Sequence, residues 1–342
     1  MTTAPRTAIP HQYVRRESGT VLTEDLFGDR VVSFLYSRAR ENAPTLFRAL
    51  TGRRASHLLG VANFDLPLTR ALLGNKRFLE RNGVDLSECV ESPEYFTTPR
   101  RIFERQIRFW DCRPTPDDPH AVVSPADARV LVGSFDQRSG VFAKDKFFRF
   151  DEILGAQKTH WLDRFSGGDF AVFRLTPDKY HYNHTPVAGK VIDAYALSGG
   201  YHSCNPAAVV EVVTPYSKNK RFVTVIDTDV EGGSQVGLVA MVEIVALMIG
   251  DIVQRYSDER YDAPRPAEPG MFVRRGQPKS LYRPGSSTDI LIFEPDRVRF
   301  ALDLLENQRT VGAESRFSQA FAQPFIETDV SVRSLIANRI PT

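Results

Sequence analysis

The sequence predicts an α+β protein in which a helical N-terminal region precedes a mainly antiparallel, β-rich core. Helical apolar spacing dominates 26–50 and 68–82. From about Ala121 onward the chain instead shows short apolar runs separated by Gly, Pro and Asp, which is typical of antiparallel strands. The segment 114–118, "PTPDD", separates the two textures. We therefore expect a helical region over 1–115 and a β-rich core over 116–342.

The first predicted helix, over 26–50, is amphipathic and carries several arginines. Such a helix either packs on the core or lies on an acidic membrane surface. A second helix runs over 68–82, where Asn82 and Gly83 form a C-cap signal. Within 92–110 the pattern predicts a third helix that begins after Pro99.

The predicted strands follow in order and end near the C-terminus with a helical piece over 300–308 and a strand-like tail. The runs that predict them are "AVVSPADARVLVGSF", "FAVFRL", "KVIDAYAL", "AAVVEVVTPY", "RFVTVIDTDV", "QVGLVAMVEIVALMI" and "TDILIFEP". Between two of them, "EGGSQVG" (231–237) fits neither a phosphate-binding loop nor a nucleophile elbow, and it predicts a hairpin or bulge.

Composition excludes several classes of protein. The 342 residues are 42% hydrophobic and 25% charged, which is ordinary for a globular protein. A net charge of +2 without a dominant Lys/Arg block argues against a dedicated nucleic-acid binder. The three cysteines are far apart and odd in number, so we expect no disulfide framework and a reducing cytosol. No secretory signal is visible and no apolar run reaches the ~18 residues of a membrane span.

Two histidines are the first candidates for chemistry. His181 and His184 lie three residues apart in "YHYNHTPVAG", a spacing that does not favour a metal pair in a strand. Each is interpreted either as a structural hydrogen-bonding group or as a general base, since histidine titrates near neutral pH. Asp127, in "VVSPADARV", is either simple turn chemistry or a buried carboxylate that orients a histidine. His202 lies in a Gly-rich turn and either packs locally or lines a pocket.

The stretch "RPGSSTDILIF" (283–293) places small hydroxyl residues directly before an apolar, strand-like run. A plain turn would serve the structural need. A backbone bond that is attacked by its own serine would use the same residues, because Gly285 leaves the carbonyl accessible to the hydroxyl of Ser286.

Taken together and in order, these segments resemble the phosphatidylserine decarboxylases, a pyruvoyl-dependent family. The resemblance covers nearly the whole chain. It is carried by "ESGTVLTEDLFGDRVVSFLYS", "YFTTPRRIFERQIRFWDCRP", "VVSPADARV", "FAKDKFFRFDEILG", "LTPDKYHYNHTPVAG", "HSCNP", "NKR" and "RRGQPKSLYRPGSS". Departures from the family pattern include Ala128, Pro278, Ser280 and Pro284, and Tyr182 stands where the family has arginine.

The resemblance implies a self-processing enzyme. Ser286 attacks the carbonyl of Gly285, and the chain is cut between 285 and 286. An N-terminal pyruvoyl group then forms from Ser286 as a covalent cofactor, with no metal. His184 is the implied base and Asp127 its orienting group. Counting back from the downstream strand places the family serine on Ser287, but Ser286 is preferred because it follows a glycine.

The implied reaction converts phosphatidylserine to phosphatidylethanolamine and carbon dioxide through a Schiff base, with the pyruvoyl group as electron sink. His181, Tyr182 and His202 are the expected substrate-side residues. Loss of the arginine at 182 leaves open a related decarboxylase of a soluble amino acid, including aromatic ones, with Tyr180, Tyr182 and Tyr201 as its pocket.

Two other classes remain open. One is a Ser-His-Asp hydrolase that stays uncut, and the other is a non-catalytic β-rich binding module. The expected partners are a phospholipid or a small amino acid, a peripheral membrane contact and a second copy in a homodimer of cleaved protomers, but no nucleic acid. The expected location is cytoplasmic, peripheral to the inner face of the membrane.

Overall fold

The computed structural model describes residues 9–26, 84–136, 147–211, 215–246, 251–284 and 287–341. The helices predicted over 26–50 and 68–82 lie outside these residues, apart from Leu26. So do Gly285 and Ser286, the residues of the expected cleavage site.

Strands dominate the described part of the chain, as the run of short apolar segments predicted. They are β1 Gln12–Arg15, β2 Thr20–Thr23, β3 Val122–Val123, β4 Ala128–Ser134, β5 Asp169–Leu175, β6 Tyr182–His184, β7 Gly189–Leu197, β8 Arg221–Asp227, β9 Leu238–Val245, β10 Ile252–Gln254, β11 Phe272–Val273, β12 Pro278–Tyr282, β13 Ser287–Phe293, β14 Val298–Phe300, β15 Glu327–Val330 and β16 Leu335–Arg339.

The described helices are all short. They are α1 Pro99–Phe103, α2 Phe109–Cys112, α3 Phe150–Ile153, α4 Thr159–Phe165, α5 Pro206–Glu211, α6 Pro215–Lys218, α7 Leu302–Asn307 and α8 Arg316–Phe321. Single 3₁₀ turns cover Leu86–Glu88 and Pro93–Tyr95. None of these helices has the length and apolar character needed to cross a bilayer.

The helix predicted to begin after Pro99 is shorter than expected. Thr98 caps it by accepting a hydrogen bond from the backbone of Arg101, and it ends at Phe103. The chain then becomes extended, and Ile107 forms an antiparallel bridge with Cys89 before α2 begins. Burial of Ile107 and Phe109 against the β-rich part therefore divides what the periodicity predicted as one helix.

A ten-stranded sheet forms the centre of the fold, in the order β11-β7-β8-β9-β13-β5-β4-β15-β1-β2. All its neighbours are antiparallel except β1 and β15, which confirms the mainly antiparallel prediction. Strand β13 is interior and is paired over its full length with β5 on one side and β9 on the other. Leu291 and Phe293 join the core on one face, and Ile290 and Ile292 join the core on the other. Burial of both faces explains why this strand is a continuous apolar run.

Two three-stranded sheets, β10-β12-β6 and β14-β16-β3, accompany the large one. Strand β12 pairs with β6, so that Leu281 lies opposite Tyr182 and Pro278 lies opposite His184. The chain leaves β12 at Tyr282 and enters β13 at Ser287. This connection therefore joins the strand beside the histidine block to the centre of the large sheet.

A buried ionic cluster attaches the N-terminal strands to the sheet. Arg174 donates to Glu24 and Glu327 at 2.6 Å each, and His11 lies 2.7 Å from Glu327. Burial alone would raise the pKa of each carboxyl, but Arg174 lowers both pKa values. Ligand atoms of His11, Glu24 and Glu327 are within 4.8 Å of one another. Because a guanidinium already bonds both carboxylates, we interpret this group as an ion-pair network.

Candidate active site

The residues on either side of the expected cleavage site are buried. Pro284 and Ser287 are both inside the protein, and Ser287 is 1% exposed. Ser287 lies level with Leu175 on β5 and with Val245 on β9, so the strand is held from its first residue. The hydroxyl of Ser287 has no hydrogen-bond partner among the described residues. A peptide bond just before this point would lie at the entrance to the central strand.

His184 is completely buried, and both of its ring nitrogens are engaged. Nδ1 lies 2.9 Å from the carbonyl oxygen of Gly276, which can only accept, so Nδ1 carries the hydrogen. Nε2 therefore holds the lone pair and accepts from the hydroxyl of Tyr180 at 3.0 Å. The pKa of His184 is lowered to about 3, mainly by burial and also by the charges of Arg333 and Arg113, while the hydrogen bond to Gly276 and the charge of Asp127 act in the opposite direction. The imidazole is therefore neutral near pH 7.

Asp127 bonds to groups other than His184. Its carboxylate accepts two hydrogen bonds from Arg113, at 3.1 and 2.9 Å, and one from the backbone of Val332 at 2.7 Å. Burial would raise its pKa, but Arg113 lowers it, so the carboxylate is ionised. Arg113 also bonds both oxygens of Glu88.

Among the described residues no hydrogen bond joins Asp127 to His184. Three of the four lone-pair positions of Asp127 are taken by the guanidinium of Arg113 and the Val332 N–H. The two residues remain neighbours because the backbone of His184 donates to Pro125, two residues before Asp127, at 2.7 Å. Asp127 thus acts on His184 through its field, which favours a proton on the imidazole.

His181 lies in the same block but in a different environment. Its ring stacks on Phe103 with centroids 3.5 Å apart. Burial, followed by the charge of Arg105, holds its pKa well below the usual range. Its carbonyl accepts from the backbone of Tyr282 at 3.0 Å, three residues before Gly285. Of the two histidines, His181 is therefore level with the end of β12 that leads to the cleavage site.

Tyr182 is packed rather than open. It is 2% exposed, its ring stacks on Tyr180 with centroids 5.6 Å apart, and its hydroxyl accepts from Gln106 at 3.2 Å. Tyr180 is 1% and Tyr201 7% exposed. The three tyrosines that the sequence suggested as an aromatic pocket are therefore buried side chains of the fold.

His202 lies in a segment that reaches the start of β13. The side chain of Asn219 accepts from the backbone N–H of His202 and donates to its carbonyl, both at 2.8 Å. The same amide donates to Val245, the residue level with Ser287. Cys204 follows His202 by two residues, and its thiol lies 3.6 Å from the carbonyl oxygen of Ser287. The "HSCNP" and "NKR" segments thus meet at the entrance to the central strand.

The sequence interpretation missed a buried polar network beside this entrance. Glu243 on β9 lies level with Asp289 on β13 and bonds Lys279 at 2.7 Å. Asp289 accepts from the hydroxyl of Tyr282 at 2.7 Å. Burial, followed by the charge of Glu243, raises the pKa of Asp289 well above the usual range. The available signal was an acidic residue inside each of two apolar strand runs.

Comparisons with known proteins identify the family to which the chain belongs. A family profile described as phosphatidylserine decarboxylase matches residues 101–321, which is more than half of the chain. Phosphatidylserine decarboxylase proenzymes from several bacteria are similar to this chain over most of its length. That of Fusobacterium nucleatum subsp. nucleatum is 26% identical over 303 residues, 86% of this chain and 91% of the relative. That of Chlamydia trachomatis serovar L2 is 29% identical over 296 residues, 86% and 90%. That of Bordetella petrii is 30% identical over 237 residues, 66% and 78%. The chain therefore belongs to the phosphatidylserine decarboxylase family.

Proposed function

We propose that this protein is a self-processing decarboxylase that converts phosphatidylserine to phosphatidylethanolamine and carbon dioxide. One observation carries the proposal beyond family membership. Segments from three parts of the chain meet where β12 ends and β13 begins. His181 contacts Tyr282, Cys204 contacts Ser287, and Asn219 contacts Val245, which lies level with Ser287. Residues far apart in sequence thus meet at the end of β12 and the start of β13, the two strand ends between which the resemblance marks the bond for cleavage.

The proposed maturation needs no external reagent except water. The Oγ of Ser286 attacks the carbonyl carbon of Gly285, the C–N bond breaks, and an ester replaces the amide. Loss of the Cα proton of Ser286 expels the Gly285 carboxylate and leaves dehydroalanine. Its imine tautomer takes up water and releases ammonia, which leaves a pyruvoyl group at the new N-terminus.

The surroundings fit such a group. Ser287 Oγ is a buried polar atom that finds no partner among the described residues. Buried polar atoms are normally paired, so this hydroxyl suits a polar group attached directly before β13. A pyruvoyl group supplies an electron sink for decarboxylation. The residues of this protein would hold the group at the start of β13, exclude water from it and position proton donors.

We assign the proton of Ser286 to His184. A serine hydroxyl is a weak nucleophile, and a neutral imidazole with its lone pair on Nε2 is a suitable acceptor. Asp127 is ionised and favours the protonated imidazole. His181, Tyr182 and His202 remain the proposed substrate-side residues, with His181 nearest to the end of β12.

The lipid substrate is favoured over a soluble amino acid. The relatives above are named for phosphatidylserine. Two of the three tyrosines that would form an aromatic pocket, Tyr180 and Tyr182, are instead stacked on each other, and Tyr182 also packs against Tyr261. We also propose that 1–115 supplies a peripheral contact with the inner face of the membrane, that 116–342 is the catalytic core, and that cleaved protomers form a homodimer in the cytoplasm.

Intact mass of the purified protein, followed by an assay of carbon dioxide release, tests the proposal. We expect two chains, 1–285 and 286–342, in place of one species of 38.5 kDa. His184→Ala should prevent cutting, and the mature enzyme should release carbon dioxide from phosphatidylserine vesicles but not from free amino acids. A single uncut chain that reacts with serine-directed phosphonates would support the hydrolase instead.

A matched pair of variants identifies the reacting serine. Ser286→Ala should remain uncut, whereas Ser287→Ala should be cut normally. The opposite result would move the pyruvoyl precursor to Ser287 and the cut to the bond before it.

A further inference from the structure

Two tyrosine hydroxyls connect His184 to the backbone of a distant segment. The hydroxyl of Tyr180 lies 3.0 Å from Nε2 of His184 and 2.8 Å from the hydroxyl of Tyr261. The hydroxyl of Tyr261 lies 2.8 Å from the carbonyl oxygen of Ile107 and 3.1 Å from its N–H. All these contacts are of hydrogen-bond length, and three of the four residues are buried in the same cluster or packed against it.

The order of these atoms permits two complete hydrogen-bond arrangements. With His184 neutral, Tyr180 donates to Nε2, Tyr261 donates to Tyr180, and the N–H of Ile107 donates to Tyr261. When a proton arrives at Nε2, the direction reverses: His184 donates to Tyr180, Tyr180 to Tyr261, and Tyr261 to the carbonyl of Ile107. A backbone unit that offers both a donor and an acceptor to one hydroxyl is what makes both directions possible.

We propose that Tyr261 is a positioning residue that acts through Tyr180 and controls how readily His184 accepts the proton of Ser286. This inference rests on the proposed function, in which His184 is the base for self-cleavage. In the protonated state Tyr261 is the acceptor for the Tyr180 hydrogen, so removal of its hydroxyl leaves that hydrogen unpaired. In the neutral state the same removal costs a bond that Tyr180 accepts, and the bond from the Ile107 N–H is lost in both states and so does not distinguish them. The loss therefore falls mainly on the protonated state.

The surroundings of His184 make this support necessary. Burial opposes a charge on the imidazole, and Arg333 and Arg113 add repulsion. Asp127 and the carbonyl of Gly276 favour the charge. The remaining titratable side chains of the cluster are Tyr180, Tyr182, Tyr261 and Cys112. Phe109 covers the imidazole edge-on with centroids 4.8 Å apart and offers no hydrogen-bond acceptor.

Tyr261→Phe tests the proposal, with Tyr256→Phe as the matched control. Tyr256 lies five residues away and is fully buried, and its hydroxyl donates to Asp258 and accepts from the backbone of Arg274, with no hydrogen bond to Tyr180 or His184 among the described residues. Full-length precursor is made by cell-free translation, and the cut is followed with time on denaturing gels. We expect Tyr261→Phe to slow cleavage at least about tenfold, since general acid–base assistance contributes 10²–10⁴-fold. Tyr256→Phe should cleave at the normal rate.

A double-mutant cycle and a spectrum separate this role from general destabilisation. If Tyr261 acts through Tyr180, the double variant Tyr180→Phe/Tyr261→Phe should be no slower than Tyr180→Phe alone. In histidine-labelled Ser286→Ala precursor, the ¹⁵N resonance of the lone-pair nitrogen of His184 should shift in Tyr261→Phe and stay unchanged in Tyr256→Phe. Multiplicative rate losses, or an unchanged resonance, would overturn the inference.

Failure of this inference differs visibly from failure of the proposed function. If His184→Ala is uncut while Tyr261→Phe cleaves at the normal rate, only the role of Tyr261 is wrong. If His184→Ala still cleaves normally, the base assignment itself is wrong, and the role of Tyr261 is overturned with it.

Discussion

At the scale of single residues, this site depends on buried groups whose charge is set by their neighbours. Asp289 is an example: it lies in an apolar strand, level with Glu243, and its second carboxyl oxygen has no partner among the described residues. Burial and the charge of Glu243 raise its pKa, so it is protonated where an ordinary aspartate is ionised. The folded protein therefore keeps a proton that the unfolded chain releases.

This difference predicts a pH-dependent stability that Asp289→Asn should change. Because the folded pKa is raised, the contribution of Asp289 is fully present below the pKa of the unfolded chain and is lost as pH rises above it. In uncleaved Ser286→Ala protein, we expect Asp289→Asn to flatten this decline and to raise the free energy of unfolding near pH 7. The sign of the gain follows from the raised pKa of Asp289, because an amide at this position carries no charge that burial would penalise.

Urea unfolding over a range of pH measures this effect. The exposed Asp117→Asn is the control and should leave the pH profile unchanged. A profile for Asp289→Asn parallel to that of the parent would show that Asp289 is ionised in the folded protein.

At the scale of elements, the N-terminal strands β1 and β2 are fixed by charge as well as by backbone pairing. β1 pairs with β15 in parallel, and Arg174 on β5 bonds both Glu24 and Glu327. Removing one member of a buried ion pair leaves an uncompensated charge, which costs far more than the pair contributes. Arg174 therefore matters more to the attachment of this segment than its position on a core strand suggests.

Arg174→Leu should lower the free energy of unfolding by about 3–5 kcal/mol at neutral pH. The difference in unfolding free energy between Arg174→Leu and the parent protein should become smaller as the pH is lowered. The depressed pKa values of Glu24 and Glu327 give stability that is present above their unfolded pKa and disappears as pH falls, and this contribution is weakened without Arg174. Arg265→Leu breaks the exposed pair with Asp258 and should cost no more than about 1 kcal/mol.

The strands could be predicted from the sequence more readily than the side-chain contacts between them. Strand β13 was predictable because burial on both faces demands an unbroken apolar run. The resemblance supplied Asp127 and His184, but not their contacts. Arg113 lies within a segment that carries the resemblance and Tyr261 lies outside all of them, but no periodicity indicates that a distant guanidinium or hydroxyl will take part in a hydrogen bond at the site. Long-range side-chain partners depend on how elements pack, which is why the site residues were found before their connections.

At the scale of the whole molecule, the proposed cut divides a single sheet between two chains. β13 and β15 would belong to the small chain, and their sheet neighbours β5, β9, β4 and β1 to the large one. The small chain also supplies β14 and β16, which pair with each other. Strand β16 in turn pairs with β3 of the large chain. Two chains interleaved in this way share one core and cannot separate without unfolding.

We therefore expect the products of cleavage to co-elute as one species on size-exclusion chromatography in native buffer. They should separate only in denaturant. Replacing Leu291 with Asp, inside β13, should instead expose the chains to dissociation or aggregation after cleavage, because a charge would be buried in the shared core. Elution of a free small chain from the unmodified protein would contradict the interleaved arrangement.

The seven-residue pairing of β13 on both flanks has a mechanical consequence for catalysis. A terminus attached directly to a strand that is hydrogen-bonded along both edges can move very little. Under the proposed cleavage, the reactive N-terminus would therefore stay in place, and the substrate would have to move to it. For a lipid, this means that the headgroup must travel out of its bilayer to a fixed point inside the protein.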